Sequence, residues 1–288
     1  MSTDALTIRH HTVPALGTGE SPVWHAGQQA LYFVDIVAPA LFRIDPETDT
    51  LRRWDMPSAI GSFGFCADDR MIVALRTGVH LFDRHTGSLE FVVDPEPDIP
   101  GNRLNDGKVG PDGCFWVGSM DDRPTKEPVA GLFRIAPDGS CLRILDDLVI
   151  SNGLAWSPDG QTLYHSDTRQ RFLQAFNVAA DGVVSNRRVL RTFVNDDGRP
   201  DGGATDAEGC YWSAGPSAGC LNRIAPDGTL LQRMDLPVEA PTMPCFGGPD
   251  LKTLFVTSMT SNRSGTVQPG TLISFPVEVP GLAVGVFG

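Results

Sequence analysis

The sequence predicts an all-β fold, a six-bladed β-propeller with four antiparallel strands in each blade. One observation is a repeat. A short turn built on Asp-Gly, or a worn form of it, launches a hydrophobic strand six times: HAGQQALYFVDI from His25, CADDRMIVAL from Cys66, GPDGCFWVGS from Gly110, SPDGQTLYHSD from Ser157, DAEGCYWSAG from Asp206 and GPDLKTLFVTS from Gly248. The copies lie 41, 44, 47, 49 and 42 residues apart, a period that suits propeller blades. A second observation is the strand–turn–strand segment that comes after each copy: LFRIDPETDTLRRW (Leu41), VHLFDRHTGSLEFV (Val79), LFRIAPDGSCLRIL (Leu132), LQAFNVAADGVVSNRRVL (Leu173), LNRIAPDGTLLQRM (Leu221) and LISFPVEVPGLAV (Leu272). A third is that no stretch carries the periodicity of an amphipathic helix.

Each blade therefore reads as an inner strand, the strand launched by the turn, and an outer hairpin. The hairpin turns carry Pro-Asp-Gly, Thr-Gly or Asp-Gly, which supply the backbone freedom a tight reversal needs. The alternation in LFRI and LNRI fits strands packed sheet on sheet. The segment ALTIRHHTVPA, Ala5 to Ala15, reads as a further strand. It is expected to pair with the last blade and close the ring, which removes an exposed sheet edge. Six blades in 288 residues use about 48 residues each, near the upper end of known blade periods. No slack remains for a second unit, so residues 1–288 are expected to form one domain. The longest surface loops are expected at 121–130 and 262–268.

Charged residues make up 20% of the chain and hydrophobic ones 41%, as in an ordinary globular domain. The net charge of −12 argues against a nucleic-acid partner, whose phosphates nothing would neutralise, and favours attraction of a cation. The start, MSTDALTIRHHTVPALG, has no apolar signal-like region, and no run of about 18 apolar residues occurs, so a cytoplasmic chain without membrane contact is expected. Cys66, Cys114, Cys141, Cys210, Cys220 and Cys245 form no CxxC pair and read as small residues of a reduced protein. Oligomeric state is not legible.

The repeat also locates a site. The Gly of each turn, or its counterpart, is Gln28, Asp69, Gly113, Gly160, Gly209 and Leu251. Eight residues earlier stand Glu20, Gly61, Asn105, Asn152, Asp201 and Met243. Four of these six are short oxygen-bearing side chains, and equivalent positions in a propeller converge on the axis. Two carboxylates and two amides there suit a hard divalent cation such as Ca²⁺, Mg²⁺ or Mn²⁺, and carboxylate oxygen also suits Zn²⁺ or Fe²⁺. Without a cation Glu20 and Asp201 would repel each other. Gly61 and Met243 leave one side of the funnel without ligands, as if to admit a substrate. Other motifs carry less. GPSAG (215–219) spells GxSxG, but a strand rather than a helix comes after it, so it reads as a turn. The histidines lack HExxH spacing.

The stretches GESPVWHAGQQALYFVDI (19–36), GNRLNDGKVGPDGCFWVGSM (101–120), ISNGLAWSPDGQTLYHSDT (150–168), RPDGGATDAEGCYWSA (199–214) and PCFGGPDLKTLFVTS (244–258) together resemble the SMP-30/gluconolactonase family, which includes regucalcin. The resemblance spans nearly the whole chain. It implies one divalent metal on the propeller axis, with Glu20, Asn152 and Asp201 as its ligands. It also implies substrate contacts from Arg103 and Asn105. Some relatives carry a Glu just after the strand downstream of Asn-Asp-Gly. Here that region reads SMDDRPTKE, and Asp121 or Asp122 stands in its place.

The resemblance further implies a hydrolase that opens a sugar lactone to the aldonic acid. The cation would polarise the lactone carbonyl, Asp201 would accept the proton of the attacking water, and Arg103 would offer a planar fork to substrate oxygens. Two other readings use the same residues: hydrolysis of organophosphates or aryl esters, and calcium binding without turnover.

Overall fold

A computed structural model of the chain describes residues 7–288. The first strand, β1 (Arg9–His10), is short. Five consecutive four-stranded antiparallel sheets come next. They are β2–β5 (Gly19–His25, Ala30–Asp35, Ala40–Asp45, Thr50–Asp55), β6–β9 (Ile60–Phe65, Met71–Leu75, Gly78–Phe82, Leu89–Val93), β10–β13 (Asn102–Val109, Phe115–Asp121, Ala130–Ile135, Cys141–Leu148), β14–β17 (Ser151–Trp156, Thr162–Asp167, Phe172–Val178, Val184–Thr192) and β18–β21 (Gly203–Thr205, Tyr211–Gly215, Cys220–Ile224, Leu230–Asp235). The sixth sheet holds β22 (Pro241–Gly247), β23 (Thr253–Ser258) and β24 (Leu272–Pro276), and its fourth strand is β1. Each inner strand packs on the inner strand of the next blade all the way round, from β2 through β6, β10, β14, β18 and β22 back to β2. The chain is a six-bladed β-propeller.

The ring closes through β1, where Arg9 pairs with Ser274 and His10 with Ile273. The strand expected over Ala5–Ala15 is shorter than its apolar pattern suggested, and Ala5 and Leu6 lie outside the described residues. His11 fixes the seam. Its ring nitrogens lie 2.8 Å from Ser274 Oγ in blade six and 2.9 Å from Asp49 Oδ1 in blade one.

One expected hairpin is absent. LISFPVEVPGLAV forms only β24, because β1 already occupies that edge. Residues 277–288 instead run across the ring. Gly281 N–H donates to Leu251 O at 2.9 Å, Ala207 N–H to Pro280 O at 2.8 Å and Phe287 N–H to Phe65 O at 2.8 Å.

The launching turns adopt the conformation their sequence asks for. Asp69, Gly113, Gly160, Gly209 and Leu251 all have positive φ, between 57° and 80°. In blade one the left-handed residue is Gln29, at φ 44°, rather than Gln28, because a 3-10 turn over Ala26–Gln28 adds one residue. The apolar side chains form no single core. Six clusters each lie between two neighbouring blades, such as Val23, Tyr32, Phe63 and Val73 between blades one and two, or Trp212, Phe246, Leu254 and Phe275 between blades five and six. A chain too long for one core is thus held by six small ones.

A polar clamp ties turn to strand inside several blades. Trp116 Nε1–H donates to Asp112 Oδ1 at 3.2 Å, and Arg134, the arginine of LFRI, closes the same carboxylate at 2.7 Å. Blade five repeats this with Trp212 at 2.9 Å and Arg223 at 2.8 Å from Asp206 Oδ2. In blade one Gln28 Oε1 accepts from Tyr32 Oη–H at 2.8 Å and Arg43 Nε–H at 3.2 Å. Asp206 is fully buried. Asp206→Ala leaves the Trp212 indole N–H without an acceptor and Arg223 with only Glu208, and it is expected to cost about 3 kcal/mol, read as a lower midpoint in urea unfolding.

Candidate active site

Five of the six axial residues stand where the inner strands are bulged, and Asp201 stands just before the regular β18. Register with the next strand slips by one residue between Glu20 and Val23, Ile60 and Ser62, Leu104 and Gly107, Asn152 and Ala155, and Pro241 and Met243. A bulge bends the strand and re-aims its side chains. Two residues just past axial positions are left-handed, Ser21 at φ 47° and Gly153 at φ 66°. For Gly153 the conformation needs glycine, since a Cβ would meet Tyr211 Oη at 2.1 Å. Ser21 adopts it with a side chain, at a strain of about 1–2 kcal/mol, and its N–H donates to Glu20 Oε2 at 2.9 Å.

Glu20, Asn105, Asn152 and Asp201 come together. Asn105 Nδ2–H donates to Asn152 Oδ1 and to Ser151 O, both at 2.9 Å. Asn152 Nδ2–H donates to Thr168 Oγ1 at 2.7 Å, which turns the amide oxygen toward Asn105. Burial raises the Glu20 carboxyl well above the usual range, and the charges of Asp201 and Asp106 add to it. Burial, with Asp106 adding, pushes the Asp201 carboxyl up to about 8. Among the described residues no side chain or N–H group donates a hydrogen bond to the Asp201 carboxylate.

Two further groups in this cluster escaped the sequence reading, Asp106 and Lys108. Asp106 Oδ2 accepts from Leu154 N–H at 3.2 Å, while its buried Oδ1 has no partner among the described residues. The Lys108 ammonium donates to Gly203 O at 2.9 Å. Burial lowers its pKa, and Asp106 opposes that. The only signal in the chain was the Asp-Gly-Lys directly after Asn105. The repeat offset takes one residue per blade, and a bulge delivers a second one that the offset skips.

Arg103 reaches the cluster from its edge. Its Nη1–H groups donate to Asn105 Oδ1 at 2.8 Å and Leu104 O at 3.0 Å. Its ion-pair partner is Asp122, 3.6 Å from Nε, whereas Asp106 lies deeper. Asp122 also pairs with Arg76. Asp121 is not brought to the cluster. Its fully buried carboxylate accepts from Arg123 Nε at 2.8 Å, Arg123 Nη2 at 3.0 Å and Glu127 N at 2.6 Å, and so organises the loop after β11. These bonds, Arg123 foremost, hold its carboxyl far below the usual range.

Gly61 and Met243 do not open space. A Cβ on Gly61 would lie 2.5 Å from Asn105 O, so glycine there lets blade two approach the backbone of blade three. Met243 is fully buried and packs on Gly202, the residue after Asp201. GPSAG makes the turn between β19 and β20, with Ala218 N–H bonded to Gly215 O. All six cysteines are free. No helix of the described residues is long and apolar enough to cross a membrane.

The donor set fits a divalent cation. Among the described residues no three His, Cys, Asp or Glu side chains form a group that could hold a metal ion, and the amide oxygen beside the carboxylates is Asn152 Oδ1, which accepts from Asn105. The buried carboxylates Glu20 and Asp106 and the half-buried Asp201 face the buried Lys108 and the half-buried Arg103, which leaves the cluster short of positive charge. All three carboxyls rise in pKa, with burial the largest cause. Oxygen ligands of this kind suit hard divalent ions.

His165 supports the inner strand that carries Asn152. Gln174 Nε2–H lies 2.9 Å from His165 Nδ1, and Arg187 Nε–H donates to Gln174 Oε1, which fixes the amide. His165 Nδ1 is therefore an acceptor, and Nε2–H donates to Ser151 Oγ at 2.8 Å. Burial lowers its pKa to about 3. The unfolded chain binds this proton below about 6.5 and the folded one does not, so stability is full above that value and is lost as pH falls from about 6.5 toward 3. His165→Gln is expected to flatten this acid limb by up to about 1.4 kcal/mol per pH unit, measured as urea midpoints against pH.

Comparison with known proteins agrees with this architecture. Residues 18–260 match the family model described as SMP-30/Gluconolactonase/LRE-like region. A 6-deoxy-6-sulfogluconolactonase of Pseudomonas putida is 38% identical over 93% of this chain and 94% of its own. A regucalcin of Xenopus laevis is 37% identical over 83% of this chain and 82% of its own. The crystal structure of a calcium-binding protein, regucalcin, from Agrobacterium tumefaciens superposes with a TM-score of 0.92 at 26% identity, covering 98% of each chain. With half of the chain far exceeded by the family match, and relatives above 30% identity along most of its length, the chain belongs to the SMP-30/gluconolactonase/LRE-like family.

Proposed function

We propose that this protein hydrolyses a sugar lactone to its aldonic acid at the axial cluster. The observation that carries the reading is the convergence of Glu20, Asn152 and Asp201, with carboxyls whose pKa burial and like charge raise, in a chain whose relatives include a named lactonase. Glu20, Asn152 and Asp201 would hold one divalent cation, Ca²⁺, Mg²⁺, Mn²⁺, Zn²⁺ or Fe²⁺. When bound, such an ion polarises an ester carbonyl and stabilises negative charge on its oxygen.

The residues of the chain supply the rest. Asp201 takes the proton of the attacking water on its free carboxylate oxygen. Water oxygen bonds to the carbonyl carbon, the ring C–O bond breaks, and the ring oxygen leaves as a hydroxyl once protonated. Asn105 spends both amide hydrogens on Asn152 Oδ1 and Ser151 O, so it meets a substrate hydroxyl as an acceptor through the Oδ1 that Arg103 orients. Arg103 presents its free N–H groups to the ring substituents. Of the two candidate acids at the end of β11, Asp122 stands beside Arg103 and Asp121 is committed to the loop that follows.

Asp201→Asn is expected to lower kcat on aldonolactones by about 10²–10⁴-fold. Removing one of two repelling carboxylates is also expected to leave the unfolding midpoint in chelator at or above that of the wild type. Full turnover in the variant would sink the assignment. Chelation is expected to abolish hydrolysis and added cation to restore it. A cation at 100 times its Kd should raise stability by about 2.7 kcal/mol, read as a shift in denaturation midpoint. The structural likeness to a calcium-binding regucalcin favours one other reading, cation binding without turnover. Calorimetric binding with no hydrolysis across a panel of aldonolactones would select it.

A further inference from the structure

Beside the axial cluster lies a chamber of about 240 Å³, walled by Arg76, Asn102, Arg103 and Leu104 and by the segment from Asp94 to Pro100. Arg103 belongs to both spaces, since its guanidinium also touches Asn105. A lactone with its carbonyl at the axis would reach this chamber past Arg103, which lines it while the axial residues do not. Two prolines, Pro97 and Pro100, stiffen the outer wall.

Donors and acceptors in this chamber do not match in number. Glu96 places one oxygen on Asn102 Nδ2–H at 3.0 Å and the other on Arg143 at 3.5 Å. Asp122 gives one oxygen to Arg103 and one to Arg76. Asp94 Oδ1 accepts from Glu96 N–H at 3.0 Å. On the donor side, Arg103 Nη2 and the Nε and Nη1 of Arg76 have no partner among the described residues. A single carboxylate thus stands between two guanidinium groups, and the charge of Arg76 acts against that of Arg103. The unpaired acceptors among the described residues are Asp94 Oδ2 and the buried Asn102 Oδ1, while the unpaired donors are three guanidinium nitrogens, planar and charged, which match an acceptor-only group held by a fork.

We infer that Arg76 and Arg103 form an anion subsite that reads a sulfonate, phosphate or carboxylate on the terminal carbon of the lactone. The inference rests on the lactonase reading and names the substrate class within it. Asp122 sets the spacing of the two guanidiniums, and the free acceptor oxygen of Asp94 lies on the chamber wall and disfavours an anion placed too deep. Arg103 positions the ring, while Arg76 discriminates between tails.

The test is steady-state kinetics on four six-carbon lactones: gluconolactone, 6-phosphogluconolactone, 6-deoxy-6-sulfogluconolactone and glucarolactone. The wild type is expected to favour at least one anionic lactone over gluconolactone in kcat/KM, and the three arms identify which anion. Arg76→Met is expected to lower the ratio of kcat/KM for that anionic lactone over gluconolactone by about 10-fold or more, mainly through KM. Arg76→Lys should recover part of the ratio, because charge survives without the fork. Inorganic phosphate should compete with the favoured anionic lactone in the wild type, a readout that needs no variant. An unchanged ratio in Arg76→Met, or a wild type that prefers gluconolactone to all three, overturns the subsite and leaves the lactonase reading standing. A wild type that turns over none of the four overturns both.

Discussion

Where five inner strands meet the axis, each carries one residue more than its partner strand, and the geometry of the site depends on that surplus. A regular strand sends alternate side chains to opposite faces, so it could offer the axis one side chain in two. The bulge breaks that alternation. In blade three it turns Asn105 and Asp106 inward one after the other. In blade one it places Glu20 inward and forces Ser21 into a left-handed conformation that an L side chain tolerates poorly. Strain of this kind persists only where surrounding structure over-determines it. Here the over-determination comes from inner strands packed against one another around the whole ring.

The electrostatics depend on the same convergence. Glu20, Asp106 and Asp201 share a buried volume with Lys108 and Arg103, and burial raises the carboxyls while lowering the amine. Each shift is a free-energy cost of the folded state, since desolvation and like charge disfavour ionisation there. The cost is offset by apolar packing elsewhere, in the six clusters between blades. A cluster of three carboxylates against two cations, with the buried Asp106 Oδ1 unpaired among the described residues, concentrates negative charge at the axis. The overall charge of −12 raises the local concentration of cations around it.

The fold was legible because it is written six times. A turn residue with positive φ recurs at nearly constant spacing, and five of the six anticipated anchors have it. The miss at Gln28 comes from a one-residue insertion that the sequence does not punctuate. The first and last segments were harder to read, because ring closure is a long-range choice. LISFPVEVPGLAV has the pattern of a hairpin, yet its second half loses the competition for the edge of β24 to a strand more than 260 residues away, Arg9 pairing with Ser274. At the site, Glu20, Asn105, Asn152 and Asp201 were found because they share a repeat offset. Asp106 and Lys108 share none. The choice between Asp121 and Asp122 was also out of reach, since it turns on which of two adjacent carboxylates the loop through Glu127 captures.

The two blades without an axial oxygen act on the site through the backbone. Gly61 lets β6 approach until a Cβ would collide with Asn105 O, and the neighbouring Ser62 Oγ–H donates to that same oxygen at 2.8 Å. Blade two therefore fixes the peptide of Asn105, and through it the direction of the Asn105 amide toward Asn152. Blade six does the equivalent for Asp201. Met243 packs against Gly202, and Gly202 N–H donates to Thr242 O at 2.8 Å. A Cβ on Gly202 would lie 2.4 Å from the Met243 side chain, so the contact requires both residues. Apolar character at these two positions is thus no vacancy for substrate. It is what allows neighbouring backbones to come close enough to hold polar side chains still. The chamber beside Arg103 lies instead outside the ring of axial residues, where the segment between β9 and β10 forms one of its walls.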